Sequence, residues 1–371
     1  MTEPQPPVPV VEERVGGLLV RLVELPWARS VGGCLSVGCG SRDDGTAPAS
    51  TAHLAEHVRV AAGTGSGRKT GPVFAQTEVA RTYFRATSAP EDATEMACGL
   101  LDILGDASVD ERALESERAA VELETARMDA NPLLRAGGLF AAAAADELGM
   151  DAVARTTRAD IHDVTHQQVA ALVAWGYRAP NSVLALAGPP HALAAVPRAL
   201  AARPTACPPA AGPTARPLVV RPPIRLPALD GLVAVTFTRP RATEDPLHRA
   251  LLSDRGPLVA AGADVGVGLL GRTTVDNATQ AVDVLCWRPG SAAKRLSDRL
   301  RAACADPARC MDPGLVAQVT RAARQQEAFA NFTPMARALS AAISEPGTPV
   351  FPGPGRLAVW HVVDGVPVAV V

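Results

Sequence analysis

Short apolar runs bounded by turn residues alternate along this chain with longer stretches whose apolar positions recur every three to four residues. These are the marks of buried strands and of amphipathic helices. The runs Leu18–Leu25 (LLVRLVEL) and Val31–Val37 (VGGCLSV) predict paired strands, and SRDDG predicts a turn after them. A helix carrying His53-Leu54-Ala55-Glu56-His57 (HLAEH) follows, with Ser50 or Thr51 as its expected cap. Val79–Thr87 (VARTYFRAT) alternates and holds β-branched and aromatic residues, which predicts another strand. Pro90-Glu91-Asp92 then opens a helix to about Leu104. A strongly charged helix is expected from Asp110 to about Met128, with Asn131-Pro132 just past its end. Helices over Leu133–Leu148 and Gln167–Tyr177 and a buried strand over Ser182–Gly188 (SVLALAG) complete this part.

Proline is then too dense for a helix or a central strand across residues 202–227, which reads as an interdomain linker. Beyond it, Gly231–Thr238 predicts a strand, helices are expected near Pro246–Leu252 and Ala292–Ala303, strands near Gln280–Trp287, and Leu357–Val371 is strand-like. The expected organisation is a first domain over 1–201, the linker, and a second domain over 228–371 that could be a diverged copy of the first. Hairpin spacing rather than strict βαβ spacing makes the fold class α+β, with antiparallel-rich sheets and helices expected on one face.

Composition narrows the function. The 371 residues suffice for two cores, and with 47% hydrophobic but only 4% aromatic residues those cores must rely on Ala, Val and Leu. A formal charge of −2 with dispersed Arg and Lys leaves no electrostatic footprint for nucleic acid or an anionic membrane. The amino terminus has acids and prolines where a secretory signal needs a basic start and an apolar core, and no run is apolar enough to span a bilayer. Seven cysteines without a CxxC pair argue against a disulfide framework and a thiolate zinc site, so idle thiols in the cytoplasm are expected.

HLAEH is the candidate chemistry. On a helix, positions i and i+4 share a face, so His53 and His57 can aim two imidazoles at one cation, with Glu56 beside them to take a proton from water. A third ligand is needed, and the helix DERALESERAAVELE offers Glu111, Glu115, Glu117, Glu122 and Glu124. Helical geometry leaves the choice open: Glu117 and Glu124 share one face, and Glu111, Glu115 and Glu122 another.

HLAEH, the preceding GCGSRDDG, the following GTGSG, VARTYFRAT with its PEDA helix start, and SERAAVELE followed by NP together resemble the amino-terminal half of the M16 metallopeptidases. This is the inverzincin family of pitrilysin, insulin-degrading enzyme and the mitochondrial processing peptidase. The resemblance covers roughly residues 15–190 and implies two related α+β domains forming a half-shell. It implies one zinc per chain held by His53, His57 and Glu124, with Glu56 as catalytic base and Glu117 in a supporting catalytic role. It also implies that a peptide substrate lies along an edge strand at Phe74, Ala75, Gln76 and Thr77.

Two features depart from the family pattern. Phe74 stands where Asn is expected, and the interval from His57 to Glu124 is shorter than usual by about one trimmed loop. Many family members also use an Arg and a Tyr from the second domain or from a partner, and this chain has no Tyr after Tyr177. The resemblance therefore implies a related partner subunit that lacks HxxEH and brings the Arg and Tyr.

The expected function is a zinc-dependent endopeptidase acting on short or unfolded peptides as the catalytic subunit of a heterodimer. Leader removal from a ribosomally made peptide natural product is one such role. The alternative is a non-catalytic assembly subunit of the same fold. Three further motifs carry bland readings: His162 and His166 are separated by a helix start at Thr165, GTGSGRKT lacks the Gly and entering strand of a phosphate loop, and RLSDRLR is a solvated amphipathic helix.

Overall fold

The computed structural model describes residues 10–45, 47–64, 72–78, 80–105, 109–130, 140, 158–203, 230–240, 246–276, 280–306, 312–330, 333–343, 356–363 and 366–370. The first half runs β1 (Val10–Val15), β2 (Leu18–Glu24), β3 (Val31–Val37), α1 (Thr51–Thr64), β4 (Phe74–Thr77), β5 (Thr82–Ser88), α2 (Ala93–Asp102), α3 (Glu111–Asp129), α4 (Arg158–Asp163), α5 (His166–Gly176), β6 (Ser182–Gly188), α6 (Pro190–Leu193) and α7 (Val196–Ala201). The second half runs β7 (Val233–Pro240), α8 (Pro246–Leu251), α9 (Pro257–Ala263), β8 (Leu269–Asp276), β9 (Gln280–Trp287), α10 (Ala293–Ala305), α11 (Pro313–Ala330), α12 (Pro334–Ile343), β10 (Arg356–Val363) and β11 (Val366–Ala369). The linker expected over 202–227 lies outside the described residues from 204 onward, as do the GTGSG loop after Thr64, the Asn131-Pro132 stop and, apart from Phe140, the helix expected over Leu133–Leu148.

Contacts divide the chain into two compact units. The first unit comprises Met1–Glu122, Thr156–Pro217 and Ala328–Gly347, and the second comprises Leu123–Arg155, Leu218–Glu327 and Thr348–Val371. Both units thus draw on both halves of the sequence, and the division falls within α3.

In the first unit the described strands form one sheet in the order β1-β2-β6-β3-β5-β4. All neighbours are antiparallel except β2 and β6. Successive strand residues face opposite ways, and the sheet separates its side chains accordingly. Leu35, Phe84, Leu184 and Leu186 join a core with α1, α2 and α5. Cys34, Tyr83, Ala185 and Ala187 join a second core with Ala338, Ala341 and Ala342 of α12. Both faces are therefore covered, which is why β3 and β6 read as continuous apolar runs rather than alternating ones.

The adjacent glycines of β3 make this double covering possible. A Cβ on Gly32 would lie 2.3 Å from the Met335 backbone nitrogen of α12, and one on Gly33 would lie 2.9 Å from the Leu100 side chain of α2. Each glycine admits a helix to one face. Arg21, nearly buried on β2, ties the same helix down by donating to the Ala341 carbonyl at 2.7 Å.

The second unit carries a described sheet in the order β11-β10-β7-β9-β8. Its central strand β7 is antiparallel to β10 and β9, and β9 is antiparallel to β8. This repeats the arrangement of β6-β3-β5-β4, so both units carry the same four-strand pattern in an α+β fold. The strand expected from residue 79 begins at Thr82, after a tight connection in which the Glu78 N–H donates to the Arg81 carbonyl at 2.8 Å. The edge strand expected at Phe74–Thr77 is β4, at the end of the sheet order, whereas β1, β8, α4, α6, α7, α9, α11 and α12 are additions to the sequence reading.

Candidate metal centre

Helix α1 begins where a carboxylate fixes it. Asp44, buried in the turn before the helix, accepts the Ser50 N–H at 3.2 Å on one oxygen and the Ala52 N–H at 2.7 Å on the other. Ser50 stands at the expected cap position, its carbonyl accepting the Leu54 N–H at 2.8 Å, and Asp44 adds a carboxylate acceptor at the positive end of the helix. The Thr51 hydroxyl instead donates to the Pro48 carbonyl at 2.8 Å, and Ser50 adopts a left-handed φ of 85°. The helix then packs against α5 and β4.

One face of α1 presents His53 and His57, whose ring centroids are 4.9 Å apart in an edge-to-face arrangement. The candidate ligand atoms of His53, Glu56 and His57 all lie within 4.8 Å of one another. Glu56 is buried, whereas both histidines are part-exposed.

Two elements hold these side chains. The His57 Nδ1 lies 3.0 Å from the Glu117 Oε2. Glu117 reaches it because Leu114 and Val121 turn the same side of α3 into the core. A carboxylate can only accept, so Nδ1 is the donor in this contact and Nε2 is the ring nitrogen left to face a metal. On the other side, the Thr77 hydroxyl of β4 donates to the Glu56 Oε2 at 2.5 Å.

The donor set fits a zinc ion. Two nitrogens each about 2 Å from one ion are at most about 4 Å apart, so the two rings need only a small adjustment to share it. A ligating histidine that donates its second nitrogen to a carboxylate is the supported form of this arrangement. Glu124, two turns on from Glu117 along the same helix face, is exposed and falls in the second unit.

Other candidates resolve into structural roles. Thr165 caps α5 in a reciprocal box with Gln168, its hydroxyl accepting the Gln168 N–H at 3.3 Å and its own N–H donating to the Gln168 side chain at 2.8 Å. His166 contacts the Val109 carbonyl at 2.6 Å, and His162 pairs with Glu122 at 3.0 Å. Arg118 donates to the Ile161, His162 and Val164 carbonyls, fixing α3 to the end of α4.

Phe74, Ala75, Gln76 and Thr77 form all of β4, which pairs with β5 on one side and ends the sheet order on the other. Phe74 is 65% exposed. The chain's two tyrosines, Tyr83 and Tyr177, are both buried. Tyr177 packs edge-on against Phe84. Burial pushes its phenol well above the usual range, with Cys39 and Glu56 adding to the shift and the nearby Thr82 only partly opposing it.

No protein-family model and no curated protein matches the sequence. Solved structures do match. An M16-like peptidase from Alicyclobacillus acidocaldarius superposes with a TM-score of 0.66 at 16% identity, over 92% of this chain and 89% of the other. The chain has the fold of the M16 peptidases. A protease from Helicobacter pylori gives 0.65 at 13% identity over 90% and 89% of the two chains. An M16 peptidase inactive domain from Pseudomonas fluorescens gives 0.60 at 16% over 90% and 86%. Since the M16 fold serves active and inactive chains alike, function must be argued from the site.

Proposed function

We propose that the chain is a zinc-dependent endopeptidase that cuts short or unfolded peptides, with residues 1–201 as its catalytic half and 228–371 as a non-catalytic half. The observation that carries this reading is the convergence of His53, Glu56 and His57 within 4.8 Å, with the glutamate buried and the second histidine held by Glu117. In this reading one zinc is held by His53, His57 and Glu124, because Glu117 is already committed to the His57 Nδ1. When bound, the zinc supplies Lewis acidity that acidifies a water and polarises the scissile carbonyl.

The chain's own groups do the rest. Thr77 occupies the Glu56 Oε2, which leaves Oε1 to take a proton as the water oxygen bonds to the carbonyl carbon. The C–N bond then breaks, and Glu56 passes that proton to the departing amine. The peptide adds to the open side of β4, where the backbone of Phe74–Thr77 offers strand hydrogen bonds. Both tyrosines are buried, so a related subunit without HxxEH supplies the Tyr, together with an Arg, to form a heterodimer. Removal of a leader from a ribosomally made peptide is the role that suits such a dedicated pair.

Cys34, Cys39, Cys98, Cys286 and Cys304 are free thiols, and burial pushes Cys34, Cys286 and Cys304 up to about 12. Those three stay protonated and unreactive, and free rather than bridged thiols suit the cytoplasmic setting proposed here. Among the described residues, no helix is long and apolar enough to cross a membrane.

The test is cleavage of an unfolded peptide mixture, read by mass spectrometry, by the chain alone and together with any M16-like protein encoded in the same operon. Cutting that appears, or rises at least about tenfold, on adding the partner is expected. No cutting in either state would favour the non-catalytic assembly role, which the likeness to an inactive M16 domain makes the specific rival.

A further inference from the structure

The edge strand β4 has two faces with different neighbours. Thr77 is paired with Thr82 and Ala75 with Phe84, whereas Gln76 is paired with Tyr83 and Phe74 with Arg85. Residues directly opposite in an antiparallel pair share a face. Phe84 lies in the core that includes α1, and Tyr83 lies in the core that includes α12. Ala75 and Thr77 therefore face α1, while Phe74 and Gln76 face away.

Proton accounting shows what Thr77 does there. A threonine hydroxyl has a single proton to give. Thr82 directs its proton to the Cys39 carbonyl at 2.8 Å, so across the 3.4 Å separating its oxygen from that of Thr77 it can only receive. The Thr77 proton goes to the nearer acceptor, the Glu56 Oε2 at 2.5 Å. This short bond crosses between two elements: it joins the strand proposed to take the peptide to the helix that carries both histidines.

We infer that Thr77 is the positioning residue for the base, its hydroxyl fixing one carboxylate oxygen of Glu56 so that the other faces the reacting water. This rests on the reading of Glu56 as a proton acceptor. The Thr77 hydroxyl bonds to Glu56, which is not one of the proposed zinc ligands, and Thr77 meets the proposed peptide through its backbone. Its removal should therefore lower kcat while leaving KM and metal content alone.

The experiment uses the chain with its partner wherever cutting requires it. Thr77→Val keeps the β-branched shape suited to a strand but removes the hydroxyl, and Thr77→Ser restores the hydroxyl. A hydrogen bond to a charged group is worth enough for a loss of about 10- to 100-fold. That loss is expected in kcat for Thr77→Val, with KM within about twofold and zinc per chain unchanged, and Thr77→Ser should recover most of it. A second readout needs no activity: in urea unfolding of the metal-free chain, the midpoint shifts of Thr77→Val and Glu56→Ala should fail to add in the double variant, as expected for contacting groups.

If wild type cuts and Thr77→Val cuts equally well, or Thr77→Ser is as impaired as Thr77→Val, the positioning role is wrong while the peptidase reading stands. Additive midpoint shifts would likewise overturn it. If wild type cuts nothing even with its partner, the peptidase reading fails and the inference falls with it, coupled unfolding then marking the bond as purely structural.

Discussion

Glu56→Gln is expected to fold, to bind zinc as wild type does, and to cut peptides about 10²- to 10⁴-fold more slowly, the range that general acid–base catalysis contributes. The amide has the shape of the carboxylate, and its carbonyl can still accept the Thr77 hydroxyl, so the buried packing around position 56 is preserved. What it lacks is a basic oxygen to receive a proton. Measuring kcat/KM at matched zinc content separates this from loss of the ion. If Glu56 were a structural ligand instead, zinc affinity would fall together with the rate. If the helix were a relic without chemistry, the substitution would change nothing but stability.

The second large effect is expected from Glu117→Ala, which should weaken zinc binding by about 10- to 100-fold, the usual cost of removing a carboxylate that orients a ligating histidine. The 3.0 Å contact between the His57 Nδ1 and the Glu117 Oε2 sets both the tautomer and the ring angle. Without it the imidazole can present the wrong nitrogen. Glu117→Gln retains an acceptor for the Nδ1 proton and should lose less. Competition with a chelator of known affinity checks both variants. Glutamine rescue supports orientation through His57, whereas equal and much larger losses in both variants would make Glu117 a direct ligand and displace Glu124 from that role.

These two residues show how far the sequence could be read. His53, Glu56 and His57 were visible because one helical turn decides that positions i and i+4 meet, and nothing elsewhere in the chain is needed for that. The strands β2, β3 and β6 were visible as apolar runs, and Thr165 as a cap, for the same local reason. The expected pairing of β2 with β3 was wrong, since β6, from far along the chain, lies between them. Choosing among the glutamates of α3 was not local. Glu117 reaches His57 only because Leu114 and Val121 roll that face of the helix inward, a decision made by packing. The Asp44 cap was hidden because the carboxylate that holds the start of α1 lies in the preceding turn, outside the positions where a cap is normally sought.

The least legible feature was the back of the first sheet. Helix α12, from far along the chain, covers the face made of Cys34, Tyr83, Ala185 and Ala187. The pair Gly32-Gly33 is a trace of it in the sequence, since their missing side chains admit a helix to each side of β3. Thr77 was noticed for its backbone alone. Its hydroxyl became significant once the β4–β5 register showed which way it pointed.

The most direct test of the account is to strip the chain with a chelator and return zinc in measured steps, following cleavage of an unfolded peptide in the presence of the partner. Activity should vanish on stripping, rise in proportion to added zinc, and level off at about one ion per chain, with His53→Ala showing no such rise. Cleavage that survives complete removal of metal, or that His53→Ala restores equally well, would contradict a metal centre on α1.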